Sequence, residues 1–237
     1  MAALGADGRC LMRALQEELD DPDPADCGRC AVCAGPRYAG GLPDDLIREA
    51  GLLLRSRPIA LEVKKMAPGP DGAMRKLPDD VRAEEGRALA RLGDGGWDPA
   101  VQDGLRAGRF GEELVEGAAA LLREWRPPVA WVTAIPSRRP NDPVSDAARR
   151  LAAAADLPFV APVARVEDRP PQREMANSAQ QVANVRGAFA VTGSVPAGAG
   201  LLVDDVRFSG WTLAMVAGQL RRRGADAVYP LALTSAF

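Results

Sequence analysis

Two places in this 237-residue chain carry side chains whose types and spacing point to chemistry. The first is the stretch from Leu201 to Leu213, LLVDDVRFSGWTL. Apolar residues (Leu201, Leu202, Val203, Val206) bracket two adjacent carboxylates, Asp204 and Asp205. A small-residue turn, Ser209-Gly210, leads to Leu213, Val216, Ala217 and Leu220 at helical spacing. The short apolar run predicts a buried parallel strand, and the spacing after it predicts a helix. Ligands of open α/β sheets sit where a strand gives way to a helix, at the carboxyl ends of the strands. A Gly turn frees backbone N–H groups there, and the helix dipole favours an anion. Paired carboxylates suit another task, accepting hydrogen bonds from a vicinal diol. Phosphate cradle and diol clamp together make a site for a ribose 5-phosphate. The plain alternative is a strand–turn–helix with acids at a strand end.

The second place is Cys10, Cys27, Cys30 and Cys33, spaced C-x16-C-x2-C-x2-C, with no cysteine after them. A C-x2-C step lets two thiolates converge on one ion, and a distant cysteine closes the tetrahedron. The chain has no histidine, so an all-thiolate site for Zn²⁺ or iron is the expected arrangement. Two disulfides are the alternative; a reducing compartment disfavours them. The lack of histidine also excludes Ser-His-Asp and Cys-His catalysis.

The 201–213 stretch resembles the phosphoribosyl-diphosphate (PRPP) signature of the type I phosphoribosyltransferases. Strand, acids, two further residues and a five-residue loop with a central Gly fall in register. The resemblance implies that Asp204 and Asp205 hold the ribose hydroxyls. It implies that Phe208, Ser209, Gly210, Trp211 and Thr212 hold the 5-phosphate, with Mg²⁺ accompanying PRPP. The first loop position is usually Thr or an acid in that family, and here it is Phe208. Binding and turnover therefore remain separate questions. Val129 to Ile135 is a predicted buried strand followed by Pro136-Ser137-Arg138-Arg139-Pro140. In the transferases the loop after this strand binds pyrophosphate, which Ser137, Arg138 and Arg139 would suit. Arg165 to Arg186 resembles the family's hood. Its later part is similar to the ComF-like branch, where Gln180, Asn184 and Phe189 have counterparts.

The stretch CLMRALQEELDDPDPADCGRCAVC looks like the zinc-binding subdomain of RecQ-family DNA helicases. There the first Cys opens a helix, an acidic Pro-containing loop follows, and C-G-x-C-x-x-C closes the site. Here Leu11, Ala14, Leu15 and Leu19 share one helix side, and Asp20 to Pro24 form the loop. No G-x-x-x-x-G-K-[ST] loop is present, so the chain lacks an ATPase core of its own. The two resemblances imply the C-terminal part of a longer bacterial RecQ-like ATP-dependent helicase of DNA unwinding and repair. Its partners would be DNA, through a helicase core lying upstream, and PRPP or another phosphate ligand. An active phosphoribosyltransferase, or a nucleic-acid or protein interaction module without a small-molecule site, are the competing readings.

The implied fold class is α/β. A small helical four-cysteine zinc module (1–40) and a helical connecting region (41–126) precede a type I phosphoribosyltransferase-like domain (127–237). That domain has a mostly parallel sheet flanked by helices. Apolar content of 47% is ordinary for a globular chain, and a net charge of −2 announces no polycation for nucleic acid. No run of 18 apolar residues suggests a membrane span, and no export signal is evident, so a cytoplasmic location is expected. Residues 48–76 hold seven cations (Arg48, Arg55, Arg57, Lys64, Lys65, Arg75, Lys76) against three acids (Glu49, Glu62, Asp71). A DNA path would run there rather than over the acidic knuckle, unless this is a plain solvated face.

Helices are expected at Pro43 to Leu54, Asp79 to Leu92, Asp98 to Leu105 with an Asp cap, Glu112 to Trp125 and Ser145 to Ala155. Strands are expected at Ile59 to Val63, Phe159 to Ala161, Phe189 to Val191 and Asp226 to Leu233, with a Pro/Gly-rich exposed loop from Lys64 to Leu77. Trp97 and Trp125 read as packing residues. Arg221 to Arg223 and Gly224 read as the cationic end and cap of the helix after the signature.

Overall fold

A computed structural model describes residues 8–36, 41–69, 72–170, 175 and 177–236 of the chain. It forms two compact units, Met1–Arg48 and Glu49–Phe237. The ends of the expected 1–40 module, the tip of the Lys64–Leu77 loop and part of the expected hood lie outside the described residues.

In the first unit, α1 (Leu11–Glu18) forms where expected and carries an Arg13–Glu17 ion pair of 3.0 Å one turn apart. Its apolar side is only partly used: Ala14 is buried, whereas Leu15 and Leu19 are exposed. α2 (Ala31–Ala34) follows the knuckle, and α3 (Asp44–Arg55) crosses into the second unit. α3 is the expected amphipathic helix, yet none of its residues is buried.

The second unit is built on a five-stranded sheet. Its strands are β1 (Ile59–Leu61), β4 (Gly86–Arg91), β5 (Val129–Ala134), β8 (Ala199–Arg207) and β9 (Ala227–Ser235), in the order β1-β4-β9-β8-β5. The pairs β4–β9, β9–β8 and β8–β5 are parallel, and β1 runs antiparallel at the edge. Side chains alternate across a strand. Leu201 and Val203 of β8 thus enter one core with α4 (Asp98–Ala107), α5 (Glu112–Trp125) and α6 (Pro143–Ala154). Leu202 enters the other with α7 (Ser178–Val185) and α8 (Trp211–Arg222). Burial on both faces is why the strand reads as an unbroken apolar run.

Several expectations change. Asp79 to Leu92 is no helix: a 3-10 turn at Asp79–Val81 precedes β4. The helix-forming Ala, Leu and Arg of GRALAR yield to pairing with β9 on one side and β1 on the other, with Ala88, Leu89 and Ala90 buried. The stretch 41–126 therefore carries α3, α4 and α5 and also supplies two strands, β1 and β4, to the sheet. The Lys64–Leu77 stretch is a hairpin, β2 (Met66–Pro68) against β3 (Met74–Lys76). Phe159 makes one parallel bridge to Val132 instead of a strand. A small antiparallel pair, β6 (Val163–Arg165) and β7 (Phe189–Val191), flanks α7. Asp98 does not cap α4, whose cap is Trp97. Asp98 Oδ2 instead accepts from the Gly93 N–H at 2.9 Å, tying down the preceding loop. Trp97 packs on Gly117 and Trp125 packs on Tyr229, as packing residues should.

Gly200 shows how tightly β8 and β5 fit. A Cβ there would lie 2.2–2.5 Å from three atoms of the fully buried Trp131 ring. Gly200→Ala is expected to destabilise the second unit by roughly 1–3 kcal/mol or more, read as a lower urea midpoint with the slope unchanged.

Candidate functional site

β5 and β8 are neighbours in register, Ala134 opposite Val203, and the Ile135 N–H donates to the Val203 carbonyl at 2.8 Å. That pairing sets the loop after β5 beside the acids of β8. Ser137, Arg138, Arg139, Asp204, Asp205 and Thr212 line one open cavity of about 330 Å³ at the carboxyl edge of the sheet. Phe208, Ser209 and Gly210 line an adjoining recess that shares Asp204 and Thr212 with it. The strand runs on through the acids to Arg207, so the acids project from regular strand backbone rather than from a loop. Trp211 belongs to the same Phe208–Thr212 loop. Its side chain is buried in the core beneath the loop, so only its backbone can face a ligand.

The phosphate-type loop has the local chemistry it needs. Gly210 adopts φ +79°, a left-handed conformation that favours glycine, and caps α8. The Ser209 hydroxyl oxygen is buried with no hydrogen-bond partner, a donor held ready for an oxygen-rich ligand. The loop after β5 is held by Asp142, the N-cap of α6. Its carboxylate accepts from the Ser137 N–H at 2.9 Å, the Ser145 N–H at 3.2 Å and the Ser145 hydroxyl at 2.6 Å. Asp142 itself has φ +41°, strained for a residue with a side chain, and these three bonds hold it there.

Sequence reasoning missed two cavity residues, Arg165 and Arg169. Arg165 leaves β6, stacks 4.5 Å over the Phe189 ring and donates to the Pro136 carbonyl at 2.9 Å. Arg169 donates to the Ala183 carbonyl of α7 at 2.8 Å. Their only signal was a pair of arginines four apart in RVEDR, a polar stretch without periodicity. Asn184 and Phe189, assigned to the hood from the resemblance, also line the cavity. Gln180 lies on exposed helix surface outside the cavity lining.

Four arginines thus face two carboxyls. Burial lowers the Arg165 guanidinium's proton affinity, and Arg138 lowers it further. Burial pushes the Asp204 carboxyl well up, and the neighbouring Asp205 adds to this. Asp205 is raised by burial too, against the pull of its 2.7 Å hydrogen bond from the Val206 N–H. Two of the four arginines are already paired, Arg138 with Asp168 at 3.3 Å and Arg169 with Glu167 at 2.6 Å.

The Asp204 shift has a consequence for stability. A carboxyl raised in the folded chain holds its proton there more tightly, which favours folding at low pH. That advantage disappears as pH rises through the folded-state value, so at neutral pH Asp204 weighs against the fold. Asp204→Asn keeps an acceptor for the Asp205 N–H, now 3.0 Å from Oδ1. It is expected to raise the unfolding midpoint at pH 7, by about 2–4 °C per kcal/mol recovered, and to raise it less at pH 4.

In the first unit the four sulfurs of Cys10, Cys27, Cys30 and Cys33 lie within 4.8 Å of one another, and none is in a disulfide. A tetrahedral ion with Zn–S bonds of about 2.3 Å sets sulfurs ~3.8 Å apart, so this cluster can close on one ion. Gly28 takes φ +67° to turn the knuckle. The Cys27 N–H points at the Cys10 sulfur at 3.2 Å, and the Cys30 N–H at the Cys27 sulfur at 3.3 Å. Such N–H···S contacts favour thiolates. Hydrogen bonds from the Leu11 and Cys33 backbones bring Cys30 down to about 6. Hydrogen bonds with Cys10 and Cys30 hold the Cys33 thiol up at about 12. Among the described residues, no helix is long and apolar enough to cross a membrane.

No protein-family model matches the chain, and no curated protein matches it. Among solved structures it is similar to one titled "Structure of the allosteric regulatory enzyme of purine biosynthesis", at 24% identity and a TM-score of 0.34. The likeness covers 51% of this chain and 24% of that one, so the chain spans about a quarter of that structure's length.

Proposed function

We propose that the second unit binds a ribose phosphate of the PRPP class at the carboxyl edge of its sheet. We propose further that the chain is the accessory C-terminal region of a RecQ-like ATP-dependent DNA helicase. One observation carries the ligand reading. The acid pair, the loop after β5 and Thr212 line one arginine-rich cavity, and Phe208, Ser209 and Gly210 line a recess that adjoins it at Asp204 and Thr212. In this reading Asp204 and Asp205 accept from the ribose hydroxyls, and the Phe208–Thr212 backbone amides hold the 5-phosphate. Arg138 and Arg139 would hold the diphosphate, and Mg²⁺ would accompany the ligand. Phe208 at the first loop position supports binding over transfer, because it removes a polar group from the ribose and phosphate.

Thermal unfolding with and without PRPP and Mg²⁺ tests this. A ligand at one hundred times its Kd stabilises the folded chain by about 2.7 kcal/mol. The expected result is a dose-dependent rise; no rise with PRPP, ribose 5-phosphate or pyrophosphate contradicts the reading. Release of pyrophosphate with any nucleobase would favour the active transferase instead.

The helicase reading is supported by the cysteine spacing, by the helix between Cys10 and the knuckle, and by the sulfur cluster. The structural metal would be Zn²⁺. DNA is the proposed partner, met through the helicase core and the basic 48–76 stretch. If that stretch touches DNA, affinity for a forked duplex should fall steeply between about 50 and 200 mM salt. A flat salt response counts against direct contact.

A further inference from the structure

We infer that Asp168 competes with the ligand's diphosphate for the Arg138 guanidinium, and so sets how far the cavity prefers PRPP to ribose 5-phosphate. This rests on the sugar-phosphate reading above. Arg138 lines the cavity from the loop after β5, and Asp168 stands on the loop after β6. Asp168 Oδ1 lies 3.3 Å from Arg138 Nε. Among the described residues Arg138 has no other hydrogen bond or ion pair. The Asp168 side chain is 86% exposed, so this contact is weak and readily exchanged.

The loop that carries Asp168 is fastened on either side of it. The Val166 N–H donates to the Ala188 carbonyl at 3.0 Å. The Asn184 side chain donates to the Pro170 carbonyl at 3.0 Å. Arg169 spans from Glu167 to the Ala183 carbonyl of α7, so although it lines the same cavity it is committed to holding the loop. Asp168 takes part in none of these bonds. Among the described residues its one ion pair is with Arg138.

The same carboxylate is felt at Arg165. Burial and the charge of Arg138 lower the proton affinity of that guanidinium, and Asp168 is the acid that opposes this most. Arg138 and Arg165 are therefore like charges that share a counter-ion. A diphosphate offers the same cations several oxygens, and bidentate contacts to arginine are the stronger ones. It must first displace a carboxylate that the fastened loop keeps at high effective concentration. Ribose 5-phosphate has no diphosphate to place there, and in the reading above its phosphate goes to the Phe208–Thr212 loop. Asp168 therefore weakens the binding of PRPP and leaves that of ribose 5-phosphate alone.

The test is titration calorimetry of the full chain and of Asp168→Asn with PRPP, pyrophosphate and ribose 5-phosphate, each with Mg²⁺. Asp226→Asn is the control: it removes the same charge from an exposed position just before β9, at the amino edge of the parallel strands. Circular dichroism shows that the fold of each variant is intact. Exposed ion pairs couple weakly, so the expected result is a gain of about three- to fivefold in affinity for PRPP and pyrophosphate in Asp168→Asn. Ribose 5-phosphate affinity and the control should not change. The gain should shrink at about 1 M salt, where charges this exposed are screened. Unchanged or weaker PRPP binding in Asp168→Asn, or an equal gain for ribose 5-phosphate, overturns this role for Asp168 and leaves the sugar-phosphate reading standing. No binding of any of the three ligands by either chain overturns both.

Discussion

Cys27→Ser is expected to abolish metal binding and to unfold residues 8–36. Among the described residues of the first unit only Cys10 and Ala14 are buried apolar positions, so no hydrophobic core holds α1 against the knuckle. Units of about 40 residues or fewer usually need a metal or a disulfide to fold. Here the thiolate cage takes the place of the core. Structural zinc supplies apparent binding energies of roughly 10–16 kcal/mol near pH 7, which is folding energy in such a module. The wild type should carry one zinc per chain by elemental analysis, and the variant none, with helical circular dichroism lost in proportion to α1. The metal must displace protons, above all from the Cys33 thiol at about 12. Affinity therefore falls as pH falls, and acid should release zinc and unfold the module together. A metal-free chain that keeps α1 folded would contradict this.

The second large effect is expected at the acid pair. Replacing Asp204 and Asp205 together by Asn should weaken PRPP binding by about a hundredfold while the fold survives. Hydrogen bonds to charged groups contribute about 1.5–3 kcal/mol each, and two are at stake. Both carboxyls are raised by burial, and accepting hydrogen bonds from a bound diol prefers them ionised. PRPP binding should therefore release protons, and affinity should rise with pH through the acidic range. Calorimetry in buffers of different ionisation enthalpy reads that release directly. Unchanged affinity in the double variant would place the ligand elsewhere. The same residues explain a trade between stability and binding, since Asp204→Asn is expected to stabilise the chain that it disarms.

What could be read in advance follows from how local each signal is. β8, its acids, the Gly210 turn and α8 are contiguous, so pattern and turn chemistry agree and no long-range contact has to be guessed. The cysteine cage was legible for a related reason: a C-x2-C step is geometry over a few residues, and α1 carries Cys10 back to it. β4 was not legible. Its Ala, Leu and Arg prefer helix, and only the β9 backbone, more than a hundred residues away, makes it a strand. Arg165 and Arg169 were hidden likewise, because the β6–β7 pairing turns an unpatterned stretch toward the cavity. The place of the Trp211 ring was not legible in the loop pattern. A large side chain at a helix start turns inward when the sheet face beneath offers apolar surface.

The central claim is that one arginine-rich cavity at the sheet edge recognises a ribose bearing a 5-phosphate and a 1-diphosphate. Isothermal titration of PRPP into the zinc-loaded full chain with Mg²⁺ tests it most directly. The account predicts saturable binding of one PRPP per chain, weakened by removal of either Mg²⁺ or the acid pair. Absence of heat and of saturation, with the fold intact, would contradict it.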